Sequence, residues 1–147
     1  MSQHPITPSG PIKKISFASV RSNRKRGGDI RVVLSPNTVE ATSGFGGVGT
    51  LAPGERVIEH YHPYSEEFVY VIEGELTLNV AGRETVIGGG EACMIPKGAA
   101  HRLVNNGDVP VRVVFHSSPL APLPELGHVD LETPLTDEAD PQVGGAP

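Results

Sequence analysis

His60 and His62 stand two residues apart in the stretch APGERVIEHYH (52–62), Glu67 follows five residues after His62, and His101 heads a later segment, HRLVNN (101–106). Side chains two apart on a strand project from the same face, so the two imidazoles lie side by side. Protonated imidazoles repel, and a protein has little reason to bury such a pair without a cation between them. Alternation then puts Glu67, Val69 and Val71 on one face and Phe68, Tyr70 and Ile72 on the other. A single histidine reads most simply as a structural residue with its hydrogen bonds satisfied. Three of them with a carboxylate form a nitrogen and oxygen donor set suited to zinc, iron, nickel or manganese.

Short strands have to position these groups. The 147 residues, the size of one domain, include 18 glycines and 14 prolines. That is nearly double the ordinary share of roughly 12%, and both residues disfavour helices. An apolar fraction of 37% and a net charge of −5 argue against disorder. ISFASV (15–20) and DIRVVL (29–34) read as strands around a basic loop, SPNTVEATSG (35–44) as a loop, and FGGVGTL (45–51) as a glycine-laden strand. Residues 66–80 read as two strands around a Glu73-Gly74 hairpin turn and residues 81–96 as two short strands. Residues 101–116 read as a hairpin through Asn106-Gly107-Asp108, with His116 ending the strand beside that of His101. Some ten short strands predict an all-β, antiparallel sandwich or barrel. The expected organisation is a basic N-terminal arm with a first strand (1–28), a barrel (29–116) and a Pro-rich acidic tail (117–147). The tail is expected to wrap the barrel and fray near its end.

Charge falls into the same three blocks. Residues 1–28 hold six basic side chains and no acid, residues 29–116 six basic and eleven acidic, and residues 117–147 six acidic and no base. The arms are either solvated or lie near each other; alternatively RSNRKRGG (21–28) docks an acidic protein partner through long-range attraction. The acidic balance, the absence of Trp and an aromatic content of 5% exclude a nucleic-acid platform. The longest uninterrupted apolar run is Phe68–Ile72, far short of the roughly 20 residues of a membrane span. No N-terminal stretch reads as a signal peptide, and the lone Cys93 leaves no internal disulfide. A cytoplasmic protein that binds neither nucleic acid nor membrane is expected.

Two spaced patterns make the chain recognisable. Gly54-x5-His60-x-His62-x4-Glu67-x6-Gly74 and Gly90-x5-Pro96-x-Gly98-x2-His101-x3-Asn105 match the two cupin motifs at every position. The chain thus resembles the cupin superfamily, which implies a single-domain β-sandwich or jelly-roll barrel, commonly dimeric, with a metal held by His60, His62, Glu67 and His101. More narrowly, EHYHPYSEEFVYVIEGE (59–75) and VVFHSSPLAPLPELGHVDLE (113–132) resemble the cupin-type polyketide cyclases of bacterial aromatic polyketide pathways, of the tetracenomycin, resistomycin and spore-pigment type. That resemblance implies aldol cyclisation and aromatisation of a poly-β-ketone carried by an acyl carrier protein. Dimerisation is also consistent with the apolar Phe68/Tyr70/Ile72 face, which needs cover if Val69 and Val71 face inward.

A 1,3-diketone unit becomes a bidentate oxygen ligand on enolisation, so one divalent metal acting as a Lewis acid suffices, and redox-inert zinc is favoured over iron, nickel or manganese. Zinc with four protein ligands is normally a closed site. A catalytic zinc here needs a fifth or sixth position, with water where the substrate binds. His116 is a candidate additional ligand, in which case Glu67 is displaced and serves as general base; its parity with Arg112 points instead to solvent. Tyr61, Tyr64, Tyr70 and His128 are candidates to touch substrate, against packing roles for the tyrosines and a surface role for His128. Gly46, Gly47, Gly49, Ala99 and Ala100 are expected to leave room for a flat ligand. The rival readings are a mononuclear iron dioxygenase using the same ligands, and a non-catalytic cupin that binds a small molecule or stabilises a synthase.

Overall fold

A computed structural model describes residues 3–141. Its strands are β1 (Asp29–Leu34), β2 (Phe45–Leu51), β3 (Arg56–Tyr61), β4 (Glu66–Glu73), β5 (Glu75–Val80), β6 (Arg83–Gly88), β7 (Ala92–Ile95), β8 (His101–Val104), β9 (Val111–Ser118) and β10 (Val129–Asp130). They form two antiparallel five-stranded sheets, ordered β1-β2-β9-β4-β7 and β10-β3-β8-β5-β6. The all-β sandwich expected from the sequence is therefore the observed architecture. Among the described residues no helix is long and apolar enough to cross a membrane.

The core lies between the sheets. Val69 and Val71 of β4, Leu76 and Leu78 of β5, and Val111 of β9 are fully shielded from solvent, each facing inward in the period-2 pattern of its strand. Their burial supplies roughly 1.5–3 kcal/mol apiece before entropy is charged. The opposite face of the first sheet stays open: Phe68, Tyr70 and Ile72 of β4 and Met94 of β7 are all more than a third exposed. Gly47 on β2 is required by close approach, because a Cβ there would overlap the Arg31 carbonyl oxygen of β1.

Several local expectations change. ISFASV is not a first strand: Phe17–Ser19 form a 3-10 turn, and Phe17 packs under the Arg31 guanidinium, 4.2 Å from the ring centre. The 35–44 loop contains one helical turn, α1 (Pro36–Val39), closed by a reciprocal Ser35/Thr38 capping box. Neither predicted hairpin forms. Gly74 (φ +83°) turns the chain from β4 in one sheet to β5 in the other, and the 106–108 turn likewise joins β8 to β9 across the sandwich. His116 is therefore not beside the His101 strand; β9 pairs with β2 and β4.

The two oppositely charged arms meet each other. Arg26, buried, bonds Asp130 through Nε (2.6 Å) and Nη2 (3.1 Å) and Asp140 through Nη2 (2.8 Å). Lys25 Nζ reaches Asp140 at 3.1 Å, Asn23 Nδ2 donates to the Ala139 carbonyl at 2.9 Å, and the Arg24 amide donates to Glu138. Farther along β3, Glu132 accepts from the Glu59 amide and from Arg102. The basic loop is thus largely committed within the chain rather than offered to an acidic partner. The tail wraps as expected through Pro141, with β10 pairing to β3; its expected fraying falls on residues 142–147, outside the described residues.

Candidate metal centre

His60 lies at the end of β3, His62 just beyond it, and His101 at the start of β8, where its backbone pairs with that of His60. Glu67 is the second residue of β4, in the facing sheet, so the cluster bridges the two layers. A register shift between Val57 and His60 lets both Val57 and the two histidines face inward, which uninterrupted alternation forbids. All four side chains are buried, and one ligating atom from each lies within 4.8 Å of the others.

Each ring is held from behind by a backbone carbonyl. His60 Nδ1 donates to Ile58 O at 2.7 Å, His62 Nδ1 to Gly127 O at 3.0 Å, and His101 Nδ1 to Ala99 O at 2.9 Å. A carbonyl only accepts, so Nδ1 carries the hydrogen and Nε2 of each neutral ring is a bare lone pair. Yet Glu67 Oε2, also an acceptor, sits 3.0 Å from His62 Nε2 and 3.2 Å from His101 Nε2. These three atoms are buried and make no hydrogen bond among the described residues. Lone pairs converging in a buried site call for a cation, and tautomer fixing by a second partner is how metal-ligating imidazoles are oriented. The donor set fits a divalent metal of the zinc or iron type.

The shifts at His60 and Glu67 agree with that fit, whereas His101, with Glu67 as its main counter-charge, is drawn toward protonation. Burial, aided by His101 and His62, lowers the His60 pKa to about 3, keeping the ring neutral. Burial opposes ionisation of Glu67, but His101 and His62 outweigh it and hold the carboxyl well below its ordinary range. Burial also opposes charging of His101, and Glu67 overcomes it, raising that imidazole. Phe45, Val69, Val113 and Phe115 line a cavity of about 70 Å³ against His60, His62 and Glu67.

A cupin domain family model matches residues 47–117, which contain His60, His62, Glu67 and His101. The polyketide synthase CurC of Streptomyces cyaneus is 53% identical over 124 residues, covering 84% of this chain and 80% of that protein. The chain belongs to the cupin family. The tetracenomycin polyketide synthase protein TcmJ of Streptomyces glaucescens is 51% identical over 133 residues, covering 90% of this cupin and 89% of TcmJ. The solved structure of the polyketide cyclase RemF from Streptomyces resistomycificus superposes with a TM-score of 0.66 at 21% identity, covering 86% of this cupin and 89% of RemF. At that identity it speaks for the fold alone.

Not every candidate from the sequence reaches the cupin's cavity. His116 is exposed on the outer face of β9, opposite Phe68, because it shares the parity of Arg112; it neither joins the ligands nor displaces Glu67. Tyr70 and Tyr64 are 38% and 40% exposed, and Tyr61 alternates away from His60 and His62; none of the three lines the cavity. Gly46, Gly47 and Gly49 serve close packing of β2 instead of cavity space. His128 is no surface histidine. The tail carries its ring to 4.4 Å from that of His62, into the cavity wall, and its buried Nδ1 has no partner among the described residues. Burial, then the neighbouring His62, holds its pKa well below the ordinary value, so it is neutral. Phe45, 6.2 Å from both His62 and His128, and the Gly127 carbonyl were not singled out in the sequence. Phe45 heads a strand of small residues, a usable signal; Gly127 offers none.

Proposed function

We propose that this cupin is a metal-dependent polyketide cyclase that catalyses aldol cyclisation and aromatisation of a poly-β-ketone in aromatic polyketide biosynthesis. The observation that carries the reading is the convergence of three carbonyl-anchored Nε2 lone pairs and Glu67 Oε2 in one buried cluster. Identity above 50% to polyketide synthase proteins supports a polyketide as the substrate class. A divalent cation, zinc by preference, bound by His60, His62, Glu67 and His101 with open positions beyond these four, supplies Lewis acidity toward the two oxygens of a 1,3-diketone unit. In this reading Glu67 is a ligand, since His116 lies exposed on the outer face of β9 and is not available to displace it. Phe45, Val69 and Phe115 exclude water and bound a narrow slot for a flat enol. His128 Nδ1 hydrogen-bonds a substrate carbonyl or holds the enol proton. The polyketide is presented on an acyl carrier protein.

The test combines elemental analysis with an anaerobic assay on a carrier-bound poly-β-ketone. One zinc per chain and cyclisation without O2 are expected. Iron with strict O2 dependence establishes the dioxygenase instead, and product formation independent of this protein leaves a binding or synthase-stabilising role. A homodimer belongs to the same proposal, supported by the exposed apolar face of Phe68, Tyr70, Ile72 and Met94. Sedimentation of the wild type as a dimer and of Phe68→Asp as a monomer is expected; a monomeric wild type refutes it.

A further inference from the structure

The metal cavity has room for about five waters. An oligo-β-ketone segment able to close a ring by aldol addition carries more heavy atoms than that, so the remainder of the chain must lie elsewhere. A second cavity of about 480 Å³ adjoins the first, well within the range of small-molecule sites. Asn23, Val32 and Pro141 line both. Of these, Asn23 donates through Nδ2 to the Ala139 carbonyl in an exposed hydrogen bond.

We propose that this outer cavity is a second substrate subsite, which receives the part of an oligo-β-ketone chain distal to the carbonyls held at the His60/His62/Glu67/His101 cluster. The inference rests on the cyclase reading and extends it. Its lining suits such a chain. Ketone oxygens recur along the chain and only accept hydrogen bonds, and the wall presents donors: the Arg21 guanidinium and the Asn37 amide, both exposed and engaged by no other group among the described residues. Ile15, Val20 and Val32 face the carbons between.

Isothermal titration of the metal-loaded protein with acetylacetone and with a linear 1,3,5,7-tetraketone tests the subsite. Asn37→Trp fills the outer cavity from an exposed position on α1, and Ser19→Trp fills it from the opposite wall. In each variant the tetraketone is expected to bind at least ~10-fold more weakly, while the acetylacetone affinity stays within about twofold of wild type. Unchanged tetraketone affinity in both variants, or equal loss for both probes, overturns the subsite while leaving the metal cluster's diketone role intact. Failure of wild type to bind either probe removes the diketone reading, and the subsite with it.

Discussion

Substituting Ala for His101 is expected to weaken metal binding by more than ~100-fold and to abolish cyclisation. His101 is 1% exposed, its Nδ1 is tied to Ala99 O, and its Nε2 points at Glu67 Oε2 from 3.2 Å. Groups that merely orient a ligand cost roughly 10–100-fold in metal affinity when removed, so losing the ligand itself exceeds that. Two measurements check it. Elemental analysis of His101→Ala should fall to near zero metal per chain. Thermal melts should separate the two proteins further. A metal at 100 times its Kd stabilises the native state by about 2.7 kcal/mol, or ~5–10 °C for a chain this size. Adding metal should raise the wild-type Tm by that amount and leave the variant's unmoved. Stoichiometric metal in His101→Ala would show that the cluster is not the metal centre.

Arg26→Met should both destabilise the fold and loosen the metal. The guanidinium is buried against Asp130 and Asp140, whose side chains are 21% and 31% exposed. Breaking a buried ion pair by removing one partner costs about 3–5 kcal/mol; the partial exposure of both carboxylates reduces this to ~2–3 kcal/mol. A Tm loss of ~5–10 °C follows. The second effect runs through the tail. Asp130 pairs with His60 across β10 and β3, and Gly127, three residues earlier, holds His62 Nδ1. With that end of the tail released, metal affinity should fall roughly 10–100-fold, as for loss of an orienting partner. Competition with a chromophoric chelator reads it. A stability loss with unchanged metal affinity would mean that β10 stays docked without Arg26.

Asp140 adds a pH signature to the same clamp. Burial opposes its ionisation, but Arg26 and Lys25 outweigh it and lower its pKa. A depressed folded-state value means that its stabilisation is fully present above the ordinary carboxylate range and is lost as pH falls through the lowered value. The clamp therefore holds at neutral pH and opens only in acid.

Spacing along the chain determined a good deal on its own. The period-2 register put His60 with His62, and Glu67 with Val69 and Val71, on inward faces, because pleat alternation is a local property of any strand. The turn residues marked nearly every strand boundary for the same reason. Turn chemistry does not say which sheet the next strand joins, and so Gly74 and Asn106-Gly107-Asp108 looked like hairpins while crossing the sandwich. Nor does it reveal the register shift at Val57–His60 that lets core residues and a clustered histidine share one strand. The fate of the charged arms needed the folded chain as well. Arg26 meets partners more than a hundred residues away, on the same tail that places Gly127 and His128 against the histidine cluster. The ligand set was readable because it depends on short-range geometry. Its enclosure, the approach of His128 and the outer cavity depend on contacts distant in sequence, which only tertiary packing sets.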